Sequence, residues 1–300
     1  MPMKTLIVIL GPTGIGKTDL SIDIALEFKT EIISSDSRQV YKELKIGTAV
    51  PSDEQLKKVK HYFIGNKSIY DYYNASMFEF EVLEKLDELF QIHHQVVMTG
   101  GSGMYINAIC DGIDDLPTID QEIRDELLRQ FKEQGLESLR MQLKLLDPIS
   151  YKTIDLKNPK RILKALEVSL QTGKPYSSFL TEPHKKRNFN IIKIGLQRNR
   201  DELYERINLR VDEMVKEGLI EEARRFYKDR NLNSLNTVGY KELFEHFDGQ
   251  ISLDKAIELI KRNSRHYAKR QISWFGRDKE ITWFNPNDFA LIVDFIKSKI

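Results

Sequence analysis

The chain is poor in cysteine: one thiol, Cys110, stands in 300 residues. A single thiol excludes an intramolecular disulfide and a multi-cysteine zinc site. Its neighbours in YINAICDGI are largely apolar, so a packed thiol is expected there rather than a nucleophile. No apolar run approaches the roughly 20 residues needed to span a bilayer. The N-terminus enters a strand-like run at Thr5 without the long apolar segment and cleavage site of a secretory signal. Together these absences fit a reducing, cytoplasmic setting with no membrane partner. Net charge is nearly absent as well. A formal charge of +1 argues neither for nor against nucleic acid, because a neutral total can hide a local basic face. Internal repeats and low-complexity tracts are also missing.

What is present is an ordinary globular composition, 41% hydrophobic and 30% charged, long enough for one large domain or two. Thr5–Leu10 is a continuous β-branched and apolar run, as a strand buried on both faces requires. A glycine loop follows, then helical spacing from about Lys17 to Phe28. TEIISSD reads as a second buried strand ending at Asp36, and QVVMTGG (95–101) as a third, preceded by a helix from about Ala75 to Phe90. Strands alternating with helices predict an α/β fold with a parallel sheet. After about Leu116 the texture changes. PTIDQEIRDELLRQFKEQGLESLRMQLKLLDP has helical spacing, with an N-cap at Thr118 or Asp120 and an end at Pro148; NPKRILKALEVSLQTGKP is another helix, closed by Gly173. An all-helical insertion over 116–188 is therefore expected, set into a core made of 1–115 and 189–300. Its borders are DDLPTID and TEPHKKRN. FNIIKIGLQ returns to strand character, helices follow at 200–217, 219–229, 237–247 and 253–275, and EITWFN can form a late strand.

Gly11-Pro12-Thr13-Gly14-Ile15-Gly16-Lys17-Thr18 matches the phosphate-binding pattern GxxxxGK[ST], with a buried strand before it and a helix opening at its end. Glycines let backbone N–H groups turn onto phosphate oxygens, and the helix N-terminus adds partial positive charge. Lys17 supplies a point charge; the Thr18 hydroxyl can hold Mg²⁺ or a phosphate oxygen. A hydrolytic P-loop protein usually has a further strand ending in an acidic residue. Here the candidate strand ends in Thr99-Gly100-Gly101, and no guanine-reading NKxD stretch occurs. The cradle is present without the usual hydrolytic machinery. Ligands of open parallel sheets gather at the carboxyl ends of the strands. Asp36 ends one such strand, among Ser34, Ser35, Ser37 and Gln39, which hydrogen-bond without titrating at neutral pH. By position alone Asp36 is either a group that takes a proton from a nucleobase edge or a turn or metal-supporting residue.

These motifs resemble those of the bacterial tRNA dimethylallyltransferase (tRNA isopentenyltransferase) family. The matching stretches are GPTGIGKT (11–18), SSDSRQVY (34–41), IGTAVP (46–51), TGGSGMYINA (99–108), NPKRILKALEV (158–168), TVGYKEL (237–243) and AKRQISWF (268–275), in family order over essentially the whole chain. The resemblance implies a P-loop NTPase-like core with a helical insertion that contacts tRNA. It also implies transfer of the dimethylallyl group from dimethylallyl diphosphate to N6 of the adenosine immediately 3′ of the anticodon. The cradle, Gly11 to Thr18, would then hold the leaving diphosphate, with Mg²⁺ at Thr18, and Asp36 would act as general base. Ser102 stands where the family often has threonine. Arg206 and Arg210, one helical turn apart, are both candidates for a diphosphate-binding arginine. On the same resemblance Arg124 touches tRNA, where the residues alone read as a solvated helix face; the other tRNA candidates are Asp36, Ser37, Arg38, Gln39 and Ser102, the insertion segment Lys160, Arg161, Ile162, Leu163 and Lys164, and Arg265, Lys269 and Arg270. A monomer is expected.

Lys261–Arg277 (KRNSRHYAKRQISWFGR) holds six Lys/Arg residues and no acid. Arg262, Arg265 and Lys269 share a helical face, with Tyr267, Trp274 and Phe275 interleaved. Basic residues neutralise phosphates and aromatic rings can stack on unpaired bases. For Trp274 and Phe275 a place in the core under that face is the preferred expectation. PKRILKAL and HKKRN add further charge on or beside the insertion. Three rivals to the tRNA reading are a prenyltransferase acting on AMP, ADP or ATP, a small-molecule P-loop kinase, and a non-catalytic RNA-binding module.

Overall fold

The computed structural model describes residues 3–114, 116–180 and 185–300. Asp115 of the first expected border, and 181–184 of the second, lie outside the described residues. The chain forms two compact units, one of residues 1–110 with 186–300 and one of 111–185.

The first unit is built on six parallel strands: β1 (Thr5–Leu10), β2 (Ile32–Ser34), β3 (His61–Tyr62), β4 (Gln95–Gly100), β5 (Asn190–Leu196) and β6 (Thr282–Phe284), in the spatial order β3-β2-β4-β1-β5-β6. β1 is central, and every residue of it is buried, which is why its sequence shows no polar alternation. It pairs in register with β4, Leu10 opposite Gly100, and with β5, Leu10 opposite Gly195. The loop after β1 therefore emerges between the carboxyl ends of two strands that continue elsewhere, the position where open α/β sheets bind ligands. Ile7, Ile9, Val97, Ile192 and Ile194 point to one face and pack on Leu20 and Ile24 of α1 (Lys17–Glu27), with Ile207 and Ile292. Leu6, Val8 and Leu10 alternate to the other face and are equally buried. The remaining helices of this unit are α2 (Asp53–Lys58), α3 (Ala75–Leu89), α4 (Gly103–Cys110), α8 (Arg200–Lys216), α9 (Leu219–Arg225), α10 (Tyr240–Phe247), α11 (Leu253–Phe275) and α12 (Phe289–Lys297). Four of these elements were not expected: β3, only two residues long, and the helices α2, α4 and α12. β2 ends at Ser34, two residues before Asp36, which lies in the following turn.

The second unit holds α5 (Gln121–Leu146), α6 (Pro148–Thr153) and α7 (Pro159–Thr172). Asp120 is the N-cap of α5, its carboxylate accepting from Glu122 N. α5 is broken at Gly135 (φ 77°), and Pro148 does not simply end it: proline occupies the first turn of α6, where its missing N–H costs nothing. Leu127, Leu139, Leu143, Ile162, Ala165 and Leu166 form the core of this unit. Asp147 is fully buried and accepts from Ser150 N, Ser177 N and Ser177 Oγ at 2.7–2.9 Å. Among the described residues no helix is long and apolar enough to cross a membrane.

Candidate active site

The cradle forms as its glycines allow. Gly16 caps α1 in the left-handed region (φ 108°), a conformation that turns the following amides toward the loop interior. Lys17 folds back over the loop, Nζ donating to the carbonyls of Gly11 (3.0 Å) and Pro12 (2.8 Å). Burial drives its pKa down to about 7; the neighbouring Arg210 adds to the fall and Asp36 opposes it. Arg210 Nη1 donates to Thr13 Oγ1 at 3.2 Å, and burial lowers its pKa too, against the pull of Asp36. Arg206 is exposed and donates from Nε to Gly14 O at 3.0 Å. Both arginines thus reach the loop, and Arg210 also stands close enough to Lys17 and Asp36 to act on the charge of the first and to feel that of the second.

Asp36 Oδ1 accepts from the backbone N–H of Arg38 (2.8 Å) and Gln39 (3.3 Å), which pins the turn after β2 and leaves Oδ2 its lone pairs. Ser102 is buried and serves the same turn: its Oγ accepts from Ser37 N at 2.9 Å and donates to Ser37 Oγ at 3.2 Å. Close by, burial together with the Asp36 charge pushes the Tyr267 hydroxyl up to about 12. Among the described residues Thr99 Oγ1 has no hydrogen-bond partner, and it lines the same space as Thr18 and Asp36.

Two cavities meet here. The first, of about 540 Å³, is floored by Thr13, Gly14, Gly16, Lys17 and Thr18, with Ile46, Ala49, Val50, Pro51, Leu209 and Met214 giving it an apolar flank. The second, of about 470 Å³, is lined by Ser37, Arg38, Asn236, Thr237, Lys241, Asn263, His266 and Arg270. Thr13, Asp36, Thr48, Arg210, Met214 and Tyr267 line both. A carboxylate and a guanidinium therefore stand where the cavity over the glycine loop opens into one lined by Arg38, Lys241 and Arg270 beside the apolar Ile207, Val211 and Ile260.

A family model described as IPP transferase matches residues 39–278. The chain is 58% identical to tRNA dimethylallyltransferase 1 of Bacteroides fragilis over the full length of both. The chain belongs to the tRNA dimethylallyltransferase family. It is also 56% identical to the protein of that name from Phocaeicola vulgatus, over 98% of each chain. The solved structure of a tRNA isopentenylpyrophosphate transferase from Bacillus halodurans matches with a TM-score of 0.72 at 35% identity, covering 99% of this chain and 96% of that one. The fold is accordingly the P-loop-like parallel sheet with a helical insertion that this family shares.

Within that family frame the remaining expected residues fall into three sets. Arg38 donates to the carbonyls of Asn233 (3.0 Å) and Ser234 (3.3 Å) while lining the second cavity; Gln39 holds Thr48 O and Ala49 O through Nε2 and accepts from Ser34 Oγ. On α11, Lys269 and Arg270 are exposed, and Arg265 donates to Asn208 Oδ1 at 2.5 Å. In the helical unit Lys160 and Arg161 are exposed, Lys164 is half-buried, and Arg124 is paired with Glu167 at 2.9 Å. Ile162 needs correction as an RNA contact: its side chain is wholly buried in the core of that unit, with Leu163 packed against the same core. Arg187 of HKKRN is likewise not surface charge. It is buried against Glu79 (2.7 Å) and the carbonyls of Ala108 and Ile109. Phe275 is buried at 3% exposure as expected, but Trp274 is 40% exposed and so is not a core anchor.

Two contributors escaped the sequence reading. Gln271 Oε1 accepts from Thr13 N (2.9 Å) while its Nε2 donates to Gly101 O (2.8 Å), tying α11 to the cradle and to the end of β4. Arg198 Nε donates to Ile15 O at 3.0 Å. Arg198 carried one usable signal, a basic residue two positions after a buried strand; Gln271 carried its place inside the family-like stretch AKRQISWF, one turn after Tyr267.

Proposed function

We propose that the protein transfers the dimethylallyl group of dimethylallyl diphosphate to N6 of the adenosine immediately 3′ of the anticodon in tRNA, acting as a cytoplasmic monomer. The observation that carries this reading is the pair of adjoining cavities with Asp36 and Arg210 on their common wall. The diphosphate lies in the cradle with the prenyl chain along Ile46, Val50 and Met214, and the adenosine enters from the polar side. As the allylic C–O bond breaks, carbon gains positive charge and diphosphate gains negative charge. The loop amides, Lys17 and Arg210 face that negative charge from a site fixed before reaction, where such donors act most strongly. N6 bonds to the allylic carbon, and its proton passes to Asp36 Oδ2 as the nitrogen lone pair is drawn out of the ring.

Magnesium suits this site as a ligand of the substrate rather than of the protein alone. Among the described residues no group of three or more His, Cys, Asp or Glu side chains could hold a metal, whereas the hydroxyls of Thr18 and the partnerless Thr99 line the phosphate cavity. Mg²⁺ keeps waters and phosphate oxygens and needs few protein oxygens. Thr18 would hold it, and it would supply neutralisation of the leaving diphosphate.

For tRNA, the second cavity and the exposed cations of α11 take the splayed loop nucleotides, while Lys160, Arg161 and Lys164 of the helical unit grip the stem. Ser37, Arg38, Gln39 and Ser102 shape the turn that presents Asp36. A prenyltransferase acting on free adenine nucleotides is the competing reading; it would leave the cations of α11 and of the helical unit without work. Mass spectrometry of nucleosides from tRNA treated with the protein and dimethylallyl diphosphate tests the choice. N6-dimethylallyl adenosine in tRNA is the expected product; labelled ADP beside untouched tRNA would overturn the reading.

A further inference from the structure

Glu222, on α9, is 6% exposed and far from any part of the phosphate cradle in sequence. Its carboxylate is nevertheless engaged on both oxygens. Oε2 accepts from Lys45 N (3.0 Å) and Ile46 N (2.9 Å); Oε1 accepts from Gly47 N (2.9 Å) and from the hydroxyl of the fully buried Tyr240 (2.6 Å). Three consecutive amides converging on one carboxylate make an anion-binding concavity, here filled by the protein's own side chain. A Cβ on Gly47 would stand 2.6 Å from the Tyr240 ring, so the loop lies flat against that ring. From the opposite side Gln39 Nε2 holds the carbonyls of Thr48 and Ala49. Ala49, at φ 48°, keeps a backbone conformation that alanine adopts only when its surroundings impose it.

The clamped loop is the partition between the cavities. Ile46, Ala49, Val50 and Pro51 face the first, Gly47 the second, and Thr48 both. We propose that Glu222 is a positioning residue that fixes this partition and thereby sets where the allylic chain lies relative to Asp36. The inference rests on the reading in which the first cavity takes the allylic diphosphate. Glu222→Gln keeps the side chain's shape but turns an NH₂ group toward backbone donors, which breaks the convergence. Without substrates, either Gly47 N or the pair Lys45 N and Ile46 N then faces the NH₂ group and loses its acceptor, so exchange within 45–47 should be at least about tenfold faster in the variant. In steady state kcat/KM for dimethylallyl diphosphate should fall about tenfold, mostly through kcat, as misplacement of the reacting carbon relative to Asp36 predicts. The Kd for inorganic diphosphate should stay unchanged, because the cradle is untouched. Geranyl diphosphate should gain relative to dimethylallyl diphosphate as the wall loosens. Tyr240→Phe, which leaves the carboxylate in place, should shift the same readouts less and serves if Glu222→Gln folds poorly. Unchanged exchange at 45–47, an equal loss for inorganic diphosphate, or an unchanged chain-length preference would each overturn the proposal. Should the wild-type protein fail to prenylate tRNA, the functional reading falls, while the exchange experiment still judges the clamp separately.

Discussion

The two compact units bury polar groups to opposite ends. In the helical unit Asp147 is engaged on both carboxylate oxygens, capping α6 and fastening the turn at Ser177, although Ser150 Oγ and Gln142 Oε1 of that unit have no partner among the described residues. Burial would raise its pKa, yet hydrogen bonds from Ser150 and Ser177 hold it below the usual carboxylate value. In the strand-built unit the polar groups at the carboxyl ends of β1, β2 and β4 are left in tension. Lys17 and Arg210 crowd each other with lowered pKa values, and Thr99 Oγ1 has no partner among the described residues. One arrangement lowers the free energy of the folded chain by itself. The other is one that a bound anion would complete. Departures from local consistency of this kind concentrate at sites that bind or react.

The sharpest way to break that contrast is at Asp36. Asp36→Asn keeps the turn acceptor on Oδ1 but removes the carboxylate proposed as proton acceptor. Prenylation of tRNA should fall by about 10²–10⁴-fold, with tRNA binding nearly intact in a filter or gel assay; loss of binding in parallel with rate would assign Asp36 to recognition instead. Next in size is Asp147→Ala in the helical unit. Leaving Ser150 N and Ser177 N without acceptors should cost about 2–3 kcal/mol in denaturant unfolding. Acid should act at the same place: a carboxylate with a lowered folded pKa stabilises at neutral pH and loses that contribution as pH falls below its ordinary value of 3.8.

A smaller effect separates RNA affinity from chemistry. Arg265→Ala with Lys269→Ala should weaken tRNA binding about tenfold and reduce the slope of log K against log salt by roughly 1–2, as loss of one or two phosphate contacts requires. An unchanged slope would remove this face of α11 from the RNA surface. Lys269, being exposed, should carry most of the effect, because Arg265 is already turned toward Asn208.

Legibility followed the range of the interactions. β1, β4, β5, α1 and the cradle could be read from the sequence because buried parallel strands appear as unbroken apolar runs and the loop motif is contiguous. β3 was not, since two residues carry no period. α12 did carry one, Ile292, Val293 and Ile296, but it follows Asn285–Asp288, whose turn character dominates that stretch. Trp274 and Phe275 are adjacent on a helix, about 100° apart, so a basic amphipathic helix could bury one fully and not both. Gln271 and Glu222 were out of reach for a different reason. Their partners lie 258 and 175–177 residues away, and no local pattern announces a contact of that separation.

Lys17 gives the finest test of the contrast between the units. Its pKa falls from 10.5 to about 7 on burial, so between those values the unfolded chain binds more protons than the ligand-free folded one. Stability of the ligand-free protein attributable to this group therefore rises with pH from about 7 to 10.5, and below about 7 its burial cost is present in full. A diphosphate in the cradle favours the charged ammonium and raises the pKa again. At pH 8, where the buried amine is mostly neutral, binding of dimethylallyl diphosphate should take up a large fraction of a proton. Titration calorimetry in two buffers of different ionisation enthalpy measures that number directly. Near pH 6 the uptake should shrink, because Lys17 is already protonated, and Lys17→Met should abolish it while leaving the ligand-free protein no less stable. Equal uptake by Lys17→Met would move the buried proton to another group and would mean that the tension in the cradle does not centre on Lys17.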